Sequence, residues 1–319
     1  MIRPSMMLLL LVIMPQSGIA QPKSKAAAAG PKPTVADFVY GKESTRQVLD
    51  FWQAKSDQPT PVVLMIHGGG WMGGDKTVYR EDVRRFLQAG ISVAAINYRF
   101  IPEAIKQHVE PPVKACVHDA ARALQTLRSK AKEWNIDPDR IAATGSSAGA
   151  CTSLWLALHD DLARPESRDP IERQSTRLTC AAVIGAQTSL DPMELRAWIP
   201  NAIYGGHAFG FSAEGRGRPE EFELLLANRE KVLPWIKEYS PIKLVTNDDP
   251  PIYLDYPRQS APPRLGQEEV DPTHSAMYGV KLAEKLRAAG VEVVLSYPQH
   301  RDKEFGSPAE FILRKLRNE

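Results

Sequence analysis

The chain of 319 residues carries 40 Lys and Arg against 38 Asp and Glu, a formal net charge of +2, and is 43% hydrophobic and 24% charged. That is ordinary globular composition, enough for one large α/β domain or two modest ones. With charge balanced and no concentrated basic patch, neither nucleic acid nor an anionic membrane is expected as a partner.

Met1 to Ser5 holds one Arg, Met6 to Met14 is an unbroken apolar run, and Ser17-Gly18-Ile19-Ala20 supplies small residues. This is the layout of a secretory signal peptide over residues 1–20, cleaved near Ala20, with an uncleaved anchor as the alternative, and it predicts a secreted or periplasmic protein. The run is too short for a stable membrane span. Lys, Ala and Pro dominate the next stretch, so residues 21–36 read as a flexible lead-in and residues 37–319 as a single domain.

From there strands and helices alternate, which calls for a mostly parallel sheet covered on both faces. Predicted strands are Phe38–Tyr40, Gln47–Trp52, Pro61–His67, Ser92–Tyr98, Arg140–Gly145, Thr179–Gly185, Ile252–Tyr256 and Val291–Tyr297. Between them Tyr79, Val83, Phe86 and Leu87 form a helical stripe closed by Gly90, Pro112 to Glu133 a longer helix, and Ala276 to Ala289 another. Eight strands and at least five helices fit one doubly wound domain. Residues 188–245 break the rhythm and read as a helical cap over the site; its Trp198, Tyr204, His207, Phe209 and Phe211 either line a pocket or pack the cap.

Two glycine-rich turns carry chemistry. His67-Gly68-Gly69-Gly70-Trp71 follows the apolar run Val62–Ile66 and offers backbone N–H groups to a developing oxyanion. Gly145-Ser146-Ser147-Ala148-Gly149 stands between a short apolar strand and a run of helix formers, the setting of a nucleophile on a strand-to-helix turn. Together they point to acyl transfer through Ser147. Cys116, Cys151 and Cys180 are too widely spaced for a disulfide framework or a metal site and read as buried hydrophobes, with the pairing of Cys151 and Cys180 left open. No metal-spaced cluster or phosphate-cradling loop is present, so neither metal nor cofactor is expected.

These residues resemble the α/β-hydrolase superfamily, in particular secreted esterase and lipase-like members sharing the HGGGW loop with hormone-sensitive-lipase-type carboxylesterases and carbohydrate acetyl and feruloyl esterases. The likeness runs from about residue 37 to 318 and includes Gly73-Gly74-Asp75-Lys76, Asn97-Tyr98-Arg99 and Asp119. It implies an α/β-hydrolase fold whose triad runs Ser, acid, His along the chain. Ser147 is the nucleophile. Asp271 matches the acid position, with Asp255 or a plain helix N-cap role for Asp271 as alternatives, while Glu268 and Glu269 look like a solvated pair. His300, in the loop after the last strand, is the expected base; His274 is its rival and His207 a distant third. Gly69, Gly70 and Ala148 are the expected oxyanion donors, His67 a brace for their loop, and Trp71 either a pocket wall beside His207 or packing. The implied function is a secreted serine ester hydrolase acting on small or oligosaccharide esters. A binding protein with a degenerate base and an exopeptidase or amidase are the alternatives.

Overall fold

Every residue from Thr60 to Ile66 is buried, as an unbroken apolar run covered on both faces requires. The computed structural model describes residues 30–212 and 215–317, and this strand sits near the middle of its sheet. In chain order the strands are β1 (Val35–Val39), β2 (Val48–Trp52), β3 (Thr60–Ile66), β4 (Ser92–Ile96), β5 (Ile136–Ser146), β6 (Cys180–Ile184), β7 (Ile252–Asp255) and β8 (Val293–Ser296). Side by side they run β1-β2-β4-β3-β5-β6-β7-β8. The β1–β2 and β2–β4 pairs are antiparallel and all the others parallel. All eight predicted strands are there, within one mostly parallel sheet.

The helices are α1 (Arg80–Gln88), α2 (Ile101–Lys106), α3 (Val113–Ser129), α4 (Ala148–Leu158), α5 (Pro192–Trp198), α6 (Arg218–Ala227), α7 (Arg229–Tyr239), α8 (Pro241–Leu244), α9 (Ala276–Ala288) and α10 (Pro308–Arg317). Alternation along β3 divides the core. Val62, Leu64 and Ile66 pack with Leu124 of α3, Leu154 of α4 and Leu282 of α9. Val63 and Met65 face the other way, toward Phe86 of α1 and Phe311 of α10. Helix α4 is buried at every position, as its apolar surface all round requires.

Residues 188–245 contain α5 to α8 and a 3-10 turn at Gly206–Phe209, with no strand among the described residues. They pack on α4, where the Trp155 indole donates to the Glu238 carbonyl at 2.9 Å. Order begins before residue 37. The Pro31 carbonyl accepts the Trp52 indole N–H at 2.7 Å and β1 starts at Val35, so the later part of the lead-in is tied to the sheet. The signal-peptide segment lies outside the described residues. Cys116, Cys151 and Cys180 are buried and unbonded, and burial pushes all three thiols up.

Candidate active site

Strands β3, β5, β6 and β7 end in one row, with Ile66 beside Gly145, Ser146 beside Ile184 and Ile184 beside Asp255. The segments leaving them therefore meet along the carboxyl edge, where open α/β sheets hold their ligands.

Strand β5 ends at Ser146 and α4 begins at Ala148, leaving Ser147 alone in the turn with φ 51° and ψ −122°. Such backbone costs about 1–3 kcal/mol and persists only where surroundings fix it. Here the Ser147 N–H donates to the Ile184 carbonyl and the Ser147 carbonyl accepts from the Cys151 N–H, both at 2.9 Å. The flanking glycines make room for β3. A Cβ at Gly149 would stand 2.0 Å from the Ile66 carbonyl oxygen, and one at Gly145 2.5 Å from that same atom.

The His67–Trp71 loop lies directly on this turn, so that a Cβ at Gly68 would meet Ser147 Cβ at 3.3 Å. Tyr98 Oη donates to the His67 carbonyl at 2.7 Å, and the two rings stack with centroids 4.3 Å apart. His67 Nδ1 donates to the Gly68 carbonyl at 2.8 Å, and burial pulls this imidazole down to about 4. A neutral, internally bonded His67 is a brace. The amides of Gly69 and Gly70 make no backbone hydrogen bond among the described residues. Behind the loop, Asn97 accepts the Lys76 N–H at 2.7 Å and donates to Asp75 Oδ2 at 2.8 Å. Lys76 Nζ pairs with Asp37 and Asp50 at 2.9 and 2.8 Å, and Arg99 donates its backbone N–H and its guanidinium to buried Asp119. The conspicuous Gly73–Lys76 and Asn97–Arg99 stretches thus hold the loop.

His274 is the imidazole beside Ser147, with Nε2 3.0 Å from Ser147 Oγ. Its Nδ1 is 2.8 Å from Asp271 Oδ2. Both residues come from the connection between β7 and α9. Gly185, in left-handed backbone at φ 61°, gives the ring its place, since a Cβ there would lie 3.3 Å from His274 Cδ2. The helix N-cap is Ser275, which accepts the Met277 N–H, so Asp271 is free for the imidazole.

The expectation for His300 is corrected. Strand β8 lies three places from β5, roughly 14 Å at the usual strand spacing, and the chain after it closes into a tight turn in which the His300 N–H donates to the Tyr297 carbonyl at 2.8 Å. His300 is left exposed, its ring 5.4 Å from that of Tyr297. The connection after β7 leaves a strand only two places away and is long enough to fold back. Asp255 ends β7 buried, 3.7 Å from Arg301, with burial raising its carboxyl. Glu269, expected to be solvated, accepts from Gln259 Nε2 and Ser275 Oγ, both at 3.0 Å.

Beside Ser147 is a cavity of about 120 Å³ bordered by Ile184, Gly185, Tyr256, Arg258 and His274. Trp71 and His207 are not among its walls. Trp71 is fully buried and donates its indole N–H to Thr152 Oγ1 at 3.0 Å. His207 packs on Trp71 and Tyr204, with ring centroids 5.9 and 4.9 Å away. Burial and then Arg218 hold it down at about 3, which makes it a poor base. A larger cleft of about 860 Å³ between β1–β2 and α3 contains His118 and Asp119 but neither Ser147 nor His274. Among the described residues no group of His, Cys, Asp and Glu could hold a metal, and no helix is long and apolar enough to cross a membrane.

The BD-FAE family model matches residues 49–256, well over half of the chain. The Mycobacterium tuberculosis protein named "Probable carboxylic ester hydrolase LipM" is 31% identical over 150 residues, covering 46% of this chain and 32% of its own. Carboxylesterase NlhH from the same organism is 34% identical over 124 residues, covering 38% and 35%. The chain thus spans about a third of the length of these curated relatives. Among solved structures, a truncated carbohydrate esterase from gut microbiota aligns with TM-score 0.66 and 17% identity over 92% of this chain and all of that one (100%). An esterase from Thermogutta terrifontis aligns with TM-score 0.58 and 22% identity over 88% of each chain. At such identities the likeness is one of fold. With its sheet order, its Ser147 turn and the family match all in agreement, the chain belongs to the BD-FAE family of the α/β-hydrolase superfamily.

Proposed function

We propose that the protein is a serine carboxylic-ester hydrolase, with Ser147 as nucleophile, His274 as base and Asp271 as its orienting carboxylate. The observation that carries this reading is the pair of contacts at His274, 3.0 Å to Ser147 Oγ and 2.8 Å to Asp271 Oδ2. A serine hydroxyl is a weak nucleophile until a base takes its proton, and a carboxylate at Nδ1 fixes the tautomer that leaves Nε2 free to do so. Ser147 Oγ attacks the ester carbonyl as its proton passes to Nε2; the imidazolium returns it to the departing alcohol, and water then releases the acid by the same route. The Gly69, Gly70 and Ala148 amides are the oxyanion donors of this scheme, each worth about 2.7–4 kcal/mol in a typical site.

The cavity supports a short acyl group, since about 120 Å³ is less than the roughly 150 Å³ that accommodates benzene in an engineered core. A fold neighbour named as a carbohydrate esterase favours acyl groups on sugars, and the Met1–Ala20 segment favours export. The test is hydrolysis of p-nitrophenyl acetate together with fluorophosphonate labelling. Turnover and label are expected in the native protein and neither in Ser147→Ala; a folded native protein that takes no label would overturn the reading in favour of a binding protein. Paired ester and amide substrates separate an esterase from a peptidase, acetate release from acetylated xylan tests the sugar assignment, and a mature chain beginning at Gln21 tests export.

A further inference from the structure

The strand that carries the acid and base connection leaves the sheet through a turn, Tyr256-Pro257-Arg258-Gln259, closed by the Gln259 N–H on the Tyr256 carbonyl at 3.2 Å. Both ends are anchored. Tyr256 is buried and donates its hydroxyl to the Ala186 carbonyl at 2.8 Å; Gln259 is buried and accepts the Ala276 N–H at 2.7 Å. Pro257 restricts the backbone between them. Arg258 is thereby held at the tip, exposed, on the wall of the cavity that Ser147 and His274 share.

Its guanidinium has no carboxylate or hydrogen-bond partner among the described residues. The other arginines near the site do: Arg301 lies by Asp255 at 3.7 Å, Arg218 pairs with Glu221 at 3.0 Å, and Arg99 is held by Asp119. The Asp271 carboxylate is engaged by His274 Nδ1. A planar cation with five donors and no internal acceptor, carried on an anchored turn at the mouth of a reaction site, matches a carboxylate in charge and in geometry.

From this juxtaposition, and resting on the esterase reading above, we propose that Arg258 selects substrates bearing a carboxylate close to the scissile ester. The anion belongs either to the acyl group or to the alcohol, and paired substrates separate the two. For the acyl side, mono-p-nitrophenyl succinate is compared with p-nitrophenyl butyrate; for the alcohol side, p-acetoxybenzoate with its methyl ester. One charge-assisted hydrogen bond corresponds to a ratio of kcat/KM of about tenfold in favour of the anion in one pair. That ratio is expected to collapse in Arg258→Gln, to invert in Arg258→Glu, and to shrink for the native enzyme as NaCl is raised. Native ratios near one in both pairs, or a preference untouched by Arg258→Gln and by salt, would overturn the assignment while leaving the esterase intact. Absence of label and of butyrate turnover would remove both.

Discussion

Replacing His274 by alanine removes the imidazole bonded to Ser147 Oγ. With no acceptor for its proton, the hydroxyl loses the general-base contribution and the later return of the proton to the alcohol. Such losses reach about 10⁴-fold or more in kcat, and 10⁴ is about 5.5 kcal/mol at 1.36 kcal/mol per tenfold. Asp271→Asn keeps the shape at Nδ1 but loses the charge and the tautomer, for a fall of about 10³–10⁴-fold. Because the three residues act as one unit, His274→Ala combined with Asp271→Asn should be little worse than His274→Ala alone. His300→Ala removes an exposed ring that packs beside Tyr297, so stability should move by less than about 0.5 kcal/mol and kcat by no more than about twofold. Initial rates on p-nitrophenyl acetate, with circular dichroism to establish folding, decide the matter. Loss of activity in His300→Ala with retention in His274→Ala would refute the reasoning from strand spacing and loop length.

Gly149→Ala places a methyl 2.0 Å from the Ile66 carbonyl oxygen in the middle of the sheet, where neither backbone can yield. A loss of at least about 3 kcal/mol in urea unfolding is expected, and less than about 1 kcal/mol would contradict the packing. Asp119→Asn leaves the Arg99 guanidinium, 11% exposed, without its buried anion; a cost of about 3–5 kcal/mol is expected from thermal or urea unfolding. His67 has its imidazole held at about 4 in the fold against an ordinary 6.5, so between those values the unfolded chain binds the extra proton and stability falls as pH drops. By pH 5 the native protein should have lost about 2 kcal/mol on this account, and His67→Gln should lose that much less between pH 7 and pH 5; equal losses in the two proteins would refute it.

The sheet was legible because buried parallel strands write themselves as continuous apolar runs, as Val62–Ile66 and Cys180–Ile184 do. The two glycine motifs were legible because close backbone contact leaves no alternative at Gly69 in the first and at Gly145 and Gly149 in the second. His274 was harder to see. Periodicity carries no information on where the connection between β7 and α9 travels, and the resemblance directed attention beyond β8. A local signal was nevertheless present. Ser275 caps α9, so His274 comes immediately before a helix start and three residues after Asp271, a spacing that lets one side chain hold the other. For Trp71 and His207 the sequence left a pocket wall and plain packing open, and both rings pack behind the His67–Trp71 loop.

The two halves of the site are built by different means. Ser147 and the His67–Trp71 loop are fixed by sheet register and by contact between β3 and the turn after β5, and they fall inside the family match, which ends at residue 256. Asp271 and His274 lie beyond it, on a connection without regular structure whose placement depends on side chains. Asn201 grips the Glu269 backbone through both its amide atoms, at 2.9 and 3.1 Å. Glu269 in turn gathers Gln259 and Ser275, and Gln187 Nε2 donates to the Thr273 carbonyl at 2.7 Å. The anchors come from the segment after α5, from the segment after β6, from the turn after β7 and from the start of α9, so four places in the chain converge on one connection. With Asp271 and His274 three residues apart, their mutual geometry is local, and these anchors have a single task left, which is to bring the pair as a unit to within hydrogen-bond reach of Ser147.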